Sequence, residues 1–350
     1  MKILYIGWVG YKNIGDELML ENFKKLAKEK LGSDCIIKAT MCSENFDNFK
    51  GYDVVCLGGG SILSEGFINV IYRALEQDKK IIIWGSGYDD IFEEEFCQMI
   101  IKSEFAYIYS DLIEEKLDEI AKKANFFGVR GPITHRILKK SNLDISNIIL
   151  SGDPGLLLEE EKFNNPYTFK KEDKYVGINV GTMFNKVYGG NEERVFEALL
   201  RVANDLISSG YKIYLYSMWP NDLDRILYFY NSIEETKNVI LDMENRKGHE
   251  LLTIIKNCVF TINFKLHANV ISAAASVPFV CLGYRLKCYD FVKSLNQERL
   301  LVSTGSENIY EDVSRKIKYL KSNGEKVEKE LENKVNIYKE KLRKSLDNLI

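Results

Sequence analysis

Short apolar runs rich in β-branched and aromatic side chains recur along the chain, separated by longer stretches whose apolar positions repeat at helical spacing. Residues 2–7, 35–40, 52–57, 80–84, 105–109, 126–129 and 148–150 are predicted strands. Helical patterns lie between most of them, as in residues 15–29 with Leu18, Leu20, Phe23 and Leu26. A polar segment at 159–174 (EEEKFNNPYTFKKEDK) breaks the rhythm, which restarts at 175–180, 212–216, 239–241, 259–264 and 279–282. Strands alternating with helices predict parallel sheets covered on both faces. The expected fold is α/β, with two doubly wound Rossmann-like domains facing each other across a cleft. Residues 1–160 form the N-terminal domain, 161–174 the linker, 175–310 the C-terminal domain, and 311–350 a tail of C-terminal helices.

Composition fits this division. At 350 residues and 45% hydrophobic, the chain is long enough for two cores. The net charge of −3 and the even spread of Lys, Arg, Asp and Glu leave no basic stripe to follow a phosphate backbone, which argues against a nucleic-acid partner. Seven cysteines form no CxxC pair and no His/Cys cluster, and they read as small core residues in a reducing compartment. The opening MKILYIGWVG reads as a strand rather than a signal peptide, and no apolar run approaches the length of a membrane span. A cytoplasmic protein is expected.

Open α/β sheets bind ligands at the carboxyl ends of their strands, so candidate chemistry is sought there. The strongest signal is KLHANVISAAASVP at 265–278, where an apolar strand hands over to a helix of small residues. Lys265 and His267 stand at that junction, and a helix N-terminus with two basic side chains describes a pocket for a phosphate or carboxylate. His135 and His249 lie in polar helical contexts, leaving His267 as the candidate for proton chemistry. GYRLKCYDFV at 283–292 adds Arg285 and Lys287 after the next strand, either as anion ligands or as surface cations.

The first half supplies a second set. GWVGYKNIGDE at 7–17 lacks the GxGxxG spacing, and its Asn13 and Asp16 read either as helix caps or as polar contacts to a substrate. CLGGGSIL at 56–63 contains Gly59, Gly60 and Ser61, a turn suited to close approach by a ligand or simply to tight packing. WGSGYDD at 84–90 repeats that theme. VRGPITHRIL places Arg130 at a strand end, where its fork suits a carboxylate or phosphate. SGDPGLLL sets Asp153 in a fixed turn, for which capping is an adequate reading.

Taken in order, GYKNIGDE, LGGGSIL, the VRGP turn, SGDPGLLL, KLHANVISAAASVP and YRLK resemble the polysaccharide pyruvyl transferase family over residues 7–287. The resemblance implies a two-domain fold similar to the GT-B glycosyltransferases. It also implies transfer of a pyruvyl group from phosphoenolpyruvate to a sugar, usually as a cyclic ketal, with release of phosphate. The family's Arg-Leu-His signature corresponds to Lys265, Leu266 and His267, so lysine stands where arginine is usual. Lysine keeps the charge but loses the bidentate fork, which allows a differently held or changed donor.

On this resemblance His267 supplies a proton to the donor's methylene carbon, and Lys265, Arg285 and Lys287 hold its phosphate and carboxylate. Arg130, Asn13 and Asp16 meet the acceptor or complete the donor pocket, Gly59, Gly60 and Ser61 line it, and Asp16 or Asp153 takes the attacking hydroxyl's proton. No metal and no cofactor beyond phosphoenolpyruvate as donor substrate is expected. The acceptor is a sugar of a cell-surface polysaccharide or its lipid-linked precursor, met in the cytoplasm or at the inner face of the plasma membrane. Two alternatives share the fold: a glycosyltransferase using a nucleotide sugar, and a non-catalytic sugar- or phosphate-binding protein.

The tail carries Leu331, Val335, Tyr338 and Leu342 at helical spacing, which predicts a long amphipathic helix after a turn at Asn323 and Gly324. Its stripe is suited to packing on its own chain, pairing with a second copy in a homo-oligomer, or peripheral contact with a membrane. The first is the expected outcome.

Overall fold

The computed structural model describes residues 1–96, 108–141, 143–170 and 172–349. The chain divides into two compact units, one of Met1–Tyr11, Asp16–Leu157 and Ile337–Ile350, the other of Lys12–Gly15 and Leu158–Asn336.

In the first unit the described strands are β1 (Lys2–Ile6), β2 (Ile36–Thr40), β3 (Val54–Leu57), β4 (Lys80–Ser86), β5 (Phe126–Val129) and β6 (Ile148–Leu150). All pair in parallel, in the order β2-β1-β3-β4-β5-β6. Helices α1 (Ile14–Leu31), α2 (Glu65–Glu76), α3 (Asp111–Lys123) and α4 (Pro132–Lys140) connect them. β3 and β5 are buried at every residue and β1 and β4 at all but the first, which is why they read as continuous apolar runs rather than alternating ones. Edge strand β2 is largely exposed. Of the strand expected at 105–109, residues 105–107 lie outside those described, and 108–109 carry no strand.

The second unit repeats the plan with β7 (Tyr175–Asn179), β8 (Lys212–Tyr216), β9 (Val239–Asp242), β10 (Cys258–Asn263), β11 (Phe279–Gly283) and β12 (Leu301–Ser303). These are again parallel, in the order β12-β11-β10-β7-β8-β9. The helices are α5 (Glu192–Ser208), α6 (Leu223–Ser232), α7 (Gly248–Ile255), α8 (Leu266–Ala274), α9 (Leu286–Ser294) and α10 (Ile309–Arg343), whose residues from Ile337 on belong to the first unit. Strand order reverses beside β1 and β3 in one unit and beside β7 and β10 in the other. At such switch points the crevice outside the strand ends receives ligands.

Leu342, Leu346 and Leu349 from the end of the chain join Ile3, Tyr5, Phe23 and Trp84 in the core of the first unit. Each buried leucine contributes about 1.5–3 kcal/mol relative to exposure. The buried Trp84 indole donates to Ser345 Oγ at 3.0 Å, so its polar edge is satisfied within the same contact. The six described cysteines are buried thiols in no disulfide among the described residues, as core residues should be. Among the described residues no helix is long and apolar enough to cross a membrane.

The turn expected at Asn323 and Gly324 is not formed, because α10 runs unbroken through both. The buried stripe explains this. Val313, Ile317, Leu320, Val327, Leu331, Val335, Tyr338 and Leu342 keep one helical phase, with Gly324 at the missing step between Leu320 and Val327. One glycine costs a helix interior only about 0.5–1 kcal/mol, less than the stripe gains by staying in register. A Cβ at Gly324 would meet nothing within 4 Å. Gly324→Ala is therefore expected to stabilise the chain by about 0.5–1 kcal/mol in chemical denaturation, and a destabilised variant would show that the helix bends there.

Candidate functional site

In the first unit the candidate residues gather where β1, β3, β4, β5 and β6 end. Gly60 has φ +107°, a conformation that favours glycine, and its carbonyl accepts from Gly87 N at 2.8 Å. Ser86 Oγ donates to Gly58 O at 2.6 Å, which ties the ends of β3 and β4 together. Asp16 Oδ1 would lie 3.8 Å from a Cβ placed on Gly60. For Gly59 the packing reading has direct support, since a Cβ there would stand 2.3 Å from Met19 Sδ.

Arg130 follows β5 and is fully buried, and its Nη2 donates to Ser61 Oγ at 3.2 Å. Its Nε and Nη1 have no hydrogen-bond partner among the described residues. Asp153, also fully buried, accepts from Gly155 N at 2.8 Å through Oδ1, the capping contact expected of it, while its Oδ2 has no such partner. Burial pushes the Asp153 carboxyl above the usual carboxylate range, and the Arg130 charge pulls the other way. Buried donors and an acceptor left open beside one another are expensive unless water or a ligand completes them.

In the second unit Lys265 caps α8 immediately after β10, at the switch point. Its backbone N–H donates to Asn179 Oδ1 at 2.9 Å, and Asn179 Nδ2 donates to Tyr216 O at 3.0 Å, so β7 and β8 fix the start of α8. The Lys265 ammonium is nearly buried and lies 3.1 Å from Asp222 Oδ1, donates to Thr182 O, and stands 5.6 Å from the Trp219 ring. Burial lowers its pKa, Asp222 opposes that, and the nearby Lys287 charge lowers it further. Asp222 is raised by burial, with Lys265 opposing. Lys265 is thus a tethered cation, and Lys287 stands within its electrostatic reach.

His267, half-buried in the first turn of α8, fits against the backbone of Gly15, one of the Lys12–Gly15 residues that group with this unit. A Cβ on Gly15 would fall 1.8 Å from His267 Nδ1, so only glycine leaves room for the imidazole. Asn13 Oδ1 accepts from Gly15 N at 3.0 Å and Ile14 N donates to Met218 O at 3.1 Å, which hold that segment in place. For Asn13 the capping reading is the one with a visible contact. Arg285 caps α9 and is half-buried, as is Lys287, whose ammonium lies 5.2 Å from the Tyr284 ring centre. Gly15→Ala is expected to displace the ring. Imidazole NMR resonances of His267 should shift while those of His135 and His249 stay, and three unmoved histidines would contradict the contact.

Two carboxylates near Lys265 carry no mark of their own in the local sequence pattern. Asp222 belongs to SMWPND after β8, a strand-end turn offering the same signal as VRGP. Glu192 follows the glycine pair Gly189 and Gly190, and its carboxylate accepts from Thr182 Oγ1 at 2.8 Å. Among the described residues, no group of three or more His, Cys, Asp or Glu is placed to hold a metal ion.

Comparison with known proteins adds relatives to this geometry. The Amylovoran biosynthesis protein AmsJ of Erwinia amylovora is 22% identical over 275 residues, which cover 71% of this chain and 61% of AmsJ. In fold, the chain is similar to the S. aureus MnaA-UDP co-structure, with TM-score 0.60 and 10% identity over 96% of this chain and 92% of that one. It is likewise similar to a glycosyltransferase from Rickettsia africae ESF-5, with TM-score 0.56 and 11% identity over 99% and 98% of the two chains. At such identity these two likenesses speak for the Rossmann-like, GT-B-like fold alone. The sequence model of the polysaccharide pyruvyl transferases matches residues 13–285, from the Asn13 turn to Arg285. The chain belongs to the polysaccharide pyruvyl transferase family.

Proposed function

We propose that the chain transfers the pyruvyl group of phosphoenolpyruvate to a sugar of a cell-surface polysaccharide or its lipid-linked precursor, forming a ketal and releasing phosphate. The observation that carries this reading is the junction of β10 and α8, where Lys265 and His267 flank a helix N-terminus with Lys287 in electrostatic reach. A trianionic donor suits that concentration of positive charge. The name of the AmsJ relative, an amylovoran biosynthesis protein, points the same way.

In this reading Arg285 and Lys287 meet the donor's phosphate and carboxylate, and Lys265, held by Asp222, fixes the local field. The His267 imidazolium gives its proton to the methylene carbon, and a sugar hydroxyl adds to the neighbouring carbon. The bond from that carbon to the phosphate oxygen then breaks, phosphate leaves, and a second hydroxyl of the same sugar closes the ketal. One donor and one diol give one ketal and one phosphate. Arg130, with its open donors, Asp153 and Asp16 make up a separate polar group within the first unit. The reaction takes place in the cytoplasm, and at the inner membrane face when the acceptor is lipid-linked.

Thermal shift separates this from nucleotide-sugar chemistry. Phosphoenolpyruvate is expected to raise the melting temperature while UDP and GDP leave it unchanged. Stabilisation by the nucleotides alone would overturn the proposal.

A further inference from the structure

Beside the Lys265 ammonium, the loop after β7 and the turn after β8 bring two aromatic rings together. Trp219 lies 5.6 Å from Lys265 Nζ, and the Phe184 ring meets Trp219 edge to face at 6.5 Å and 85°. Phe184 is 64% exposed. Its backbone is held at φ +53° and that of Asn185 at +62°, a region that bulky side chains rarely adopt. The surroundings impose this shape. The Glu192 carboxylate accepts from Met183 N, Asn185 N and Thr182 Oγ1, Phe184 N donates to Thr182 Oγ1 at 2.9 Å, and Asn185 Nδ2 donates to Gly190 O at 2.7 Å. A strained loop tied down at this many points, with its large apolar ring turned to solvent, is a feature that folding alone does not call for.

Thr182 and Asn185, which flank that ring in sequence, also line an open hollow of about 690 Å³ whose other walls include Asn221, Asp224, Arg225 and Tyr228. Arg225 is fixed there by Glu193 at 2.6 Å and lies over the Phe196 ring. Carboxamides, carboxylates and a guanidinium match hydroxyl groups, each of which both donates and accepts. A pyranose presents hydroxyls at its rim and C–H groups on its face, so it matches the polar hollow and the aromatic ring together. With Glu192, Glu193 and Asp224 set against Arg225, the wall is net acidic and repels a diphosphate.

We propose that Phe184 and Trp219, with the adjoining hollow, form a carbohydrate subsite that seats the pyranose ring of the acceptor beside the Lys265 centre. Its naming as the acceptor's seat rests on the pyruvyl-transfer reading above; its binding of a sugar does not.

The test uses the full chain without phosphoenolpyruvate and methyl glycosides of galactose, glucose, mannose and N-acetylglucosamine, observed by saturation-transfer NMR. At least one glycoside is expected to bind with its C–H face saturated. Phe184→Ala should weaken that binding about tenfold and Phe184→Tyr should retain it, both with the native melting temperature. Because Phe184 is largely exposed, the alanine variant keeps its fold. Four silent glycosides, or equal affinity in Phe184→Ala, would each overturn the subsite. A glycoside that binds through Phe184 but releases no phosphate from phosphoenolpyruvate would instead sink the transfer reaction and leave the subsite standing.

Discussion

His267→Ala is expected to slow phosphate release from phosphoenolpyruvate by about 10²–10⁴-fold, the usual range for loss of a positioned proton donor, with donor binding still measurable by thermal shift. The reasoning is positional. His267 sits in the first turn of α8, beside the tethered Lys265, with its ring against Gly15. The donor's anionic groups are assigned to Arg285, Lys287 and the helix end, so removing the imidazole takes away the proton and leaves most of the attraction. His267→Gln should fail to the same degree, because an amide can hydrogen bond but cannot exchange a proton near neutral pH. The two parameters then separate, with kcat falling and donor affinity persisting. Turnover near the native rate in both variants would remove His267 from the chemistry. Lost donor binding would make it a ligand rather than an acid.

Arg130→Met is expected to destabilise the chain by about 3 kcal/mol or more, a loss of roughly 6–12 °C in melting temperature. Arg130 and Asp153 are both fully buried, and the Arg130 charge partly offsets what burial does to the carboxyl. A methionine of similar length fills the space but leaves Asp153 in an apolar setting with no compensating charge. The loss should depend on pH, and its sign follows from linkage. Asp153 has a folded-state pKa above its unfolded value, so the native state holds that proton more tightly, and stability falls as pH rises through the window between the two. Without Arg130 the folded value rises further and the window extends upward. The variant should therefore lose more stability at about pH 7 than at about pH 4, where the carboxyl is closer to neutral in both proteins. Equal melting temperatures at neutral pH, or a larger loss in acid, would show that Arg130 does not compensate Asp153.

Much of the architecture is readable in the sequence because buried parallel strands leave a plain mark. Residues such as 54–57 and 81–84 are apolar without alternation, and the glycine turns after them lie at the carboxyl edge. β12 escapes because its three residues hold only two apolar side chains, where the equally short β6 is apolar throughout. The Asn323–Gly324 pair has the composition of a turn, yet the stripe on either side keeps its phase, and packing overrides the local preference. Nor does composition say that residues to Asn336 group with one unit and those from Ile337 with the other.

The candidate site is legible in the same uneven way. A basic pair where an apolar strand meets a small-residue helix marks Lys265 and His267. What the pair touches comes from other strands, namely Asn179 from β7 and Asp222 after β8, and neighbours across a sheet leave no trace in local sequence. The three glycines at 58–60 read alike, yet Gly60 carries a positive φ and Gly59 packs on Met19. Phe184 gives no signal at all, because its interest lies in a backbone angle and in exposure.

Pyruvyl transfer itself is tested most directly by incubating the chain with phosphoenolpyruvate and a panel of glycans and following the mixture by phosphorus and proton NMR. The expected result is conversion of the enol phosphate signal to inorganic phosphate in step with a new isolated methyl singlet on one glycan. Phosphate without that methyl, or an unchanged donor in the presence of a glycan that binds, would contradict it.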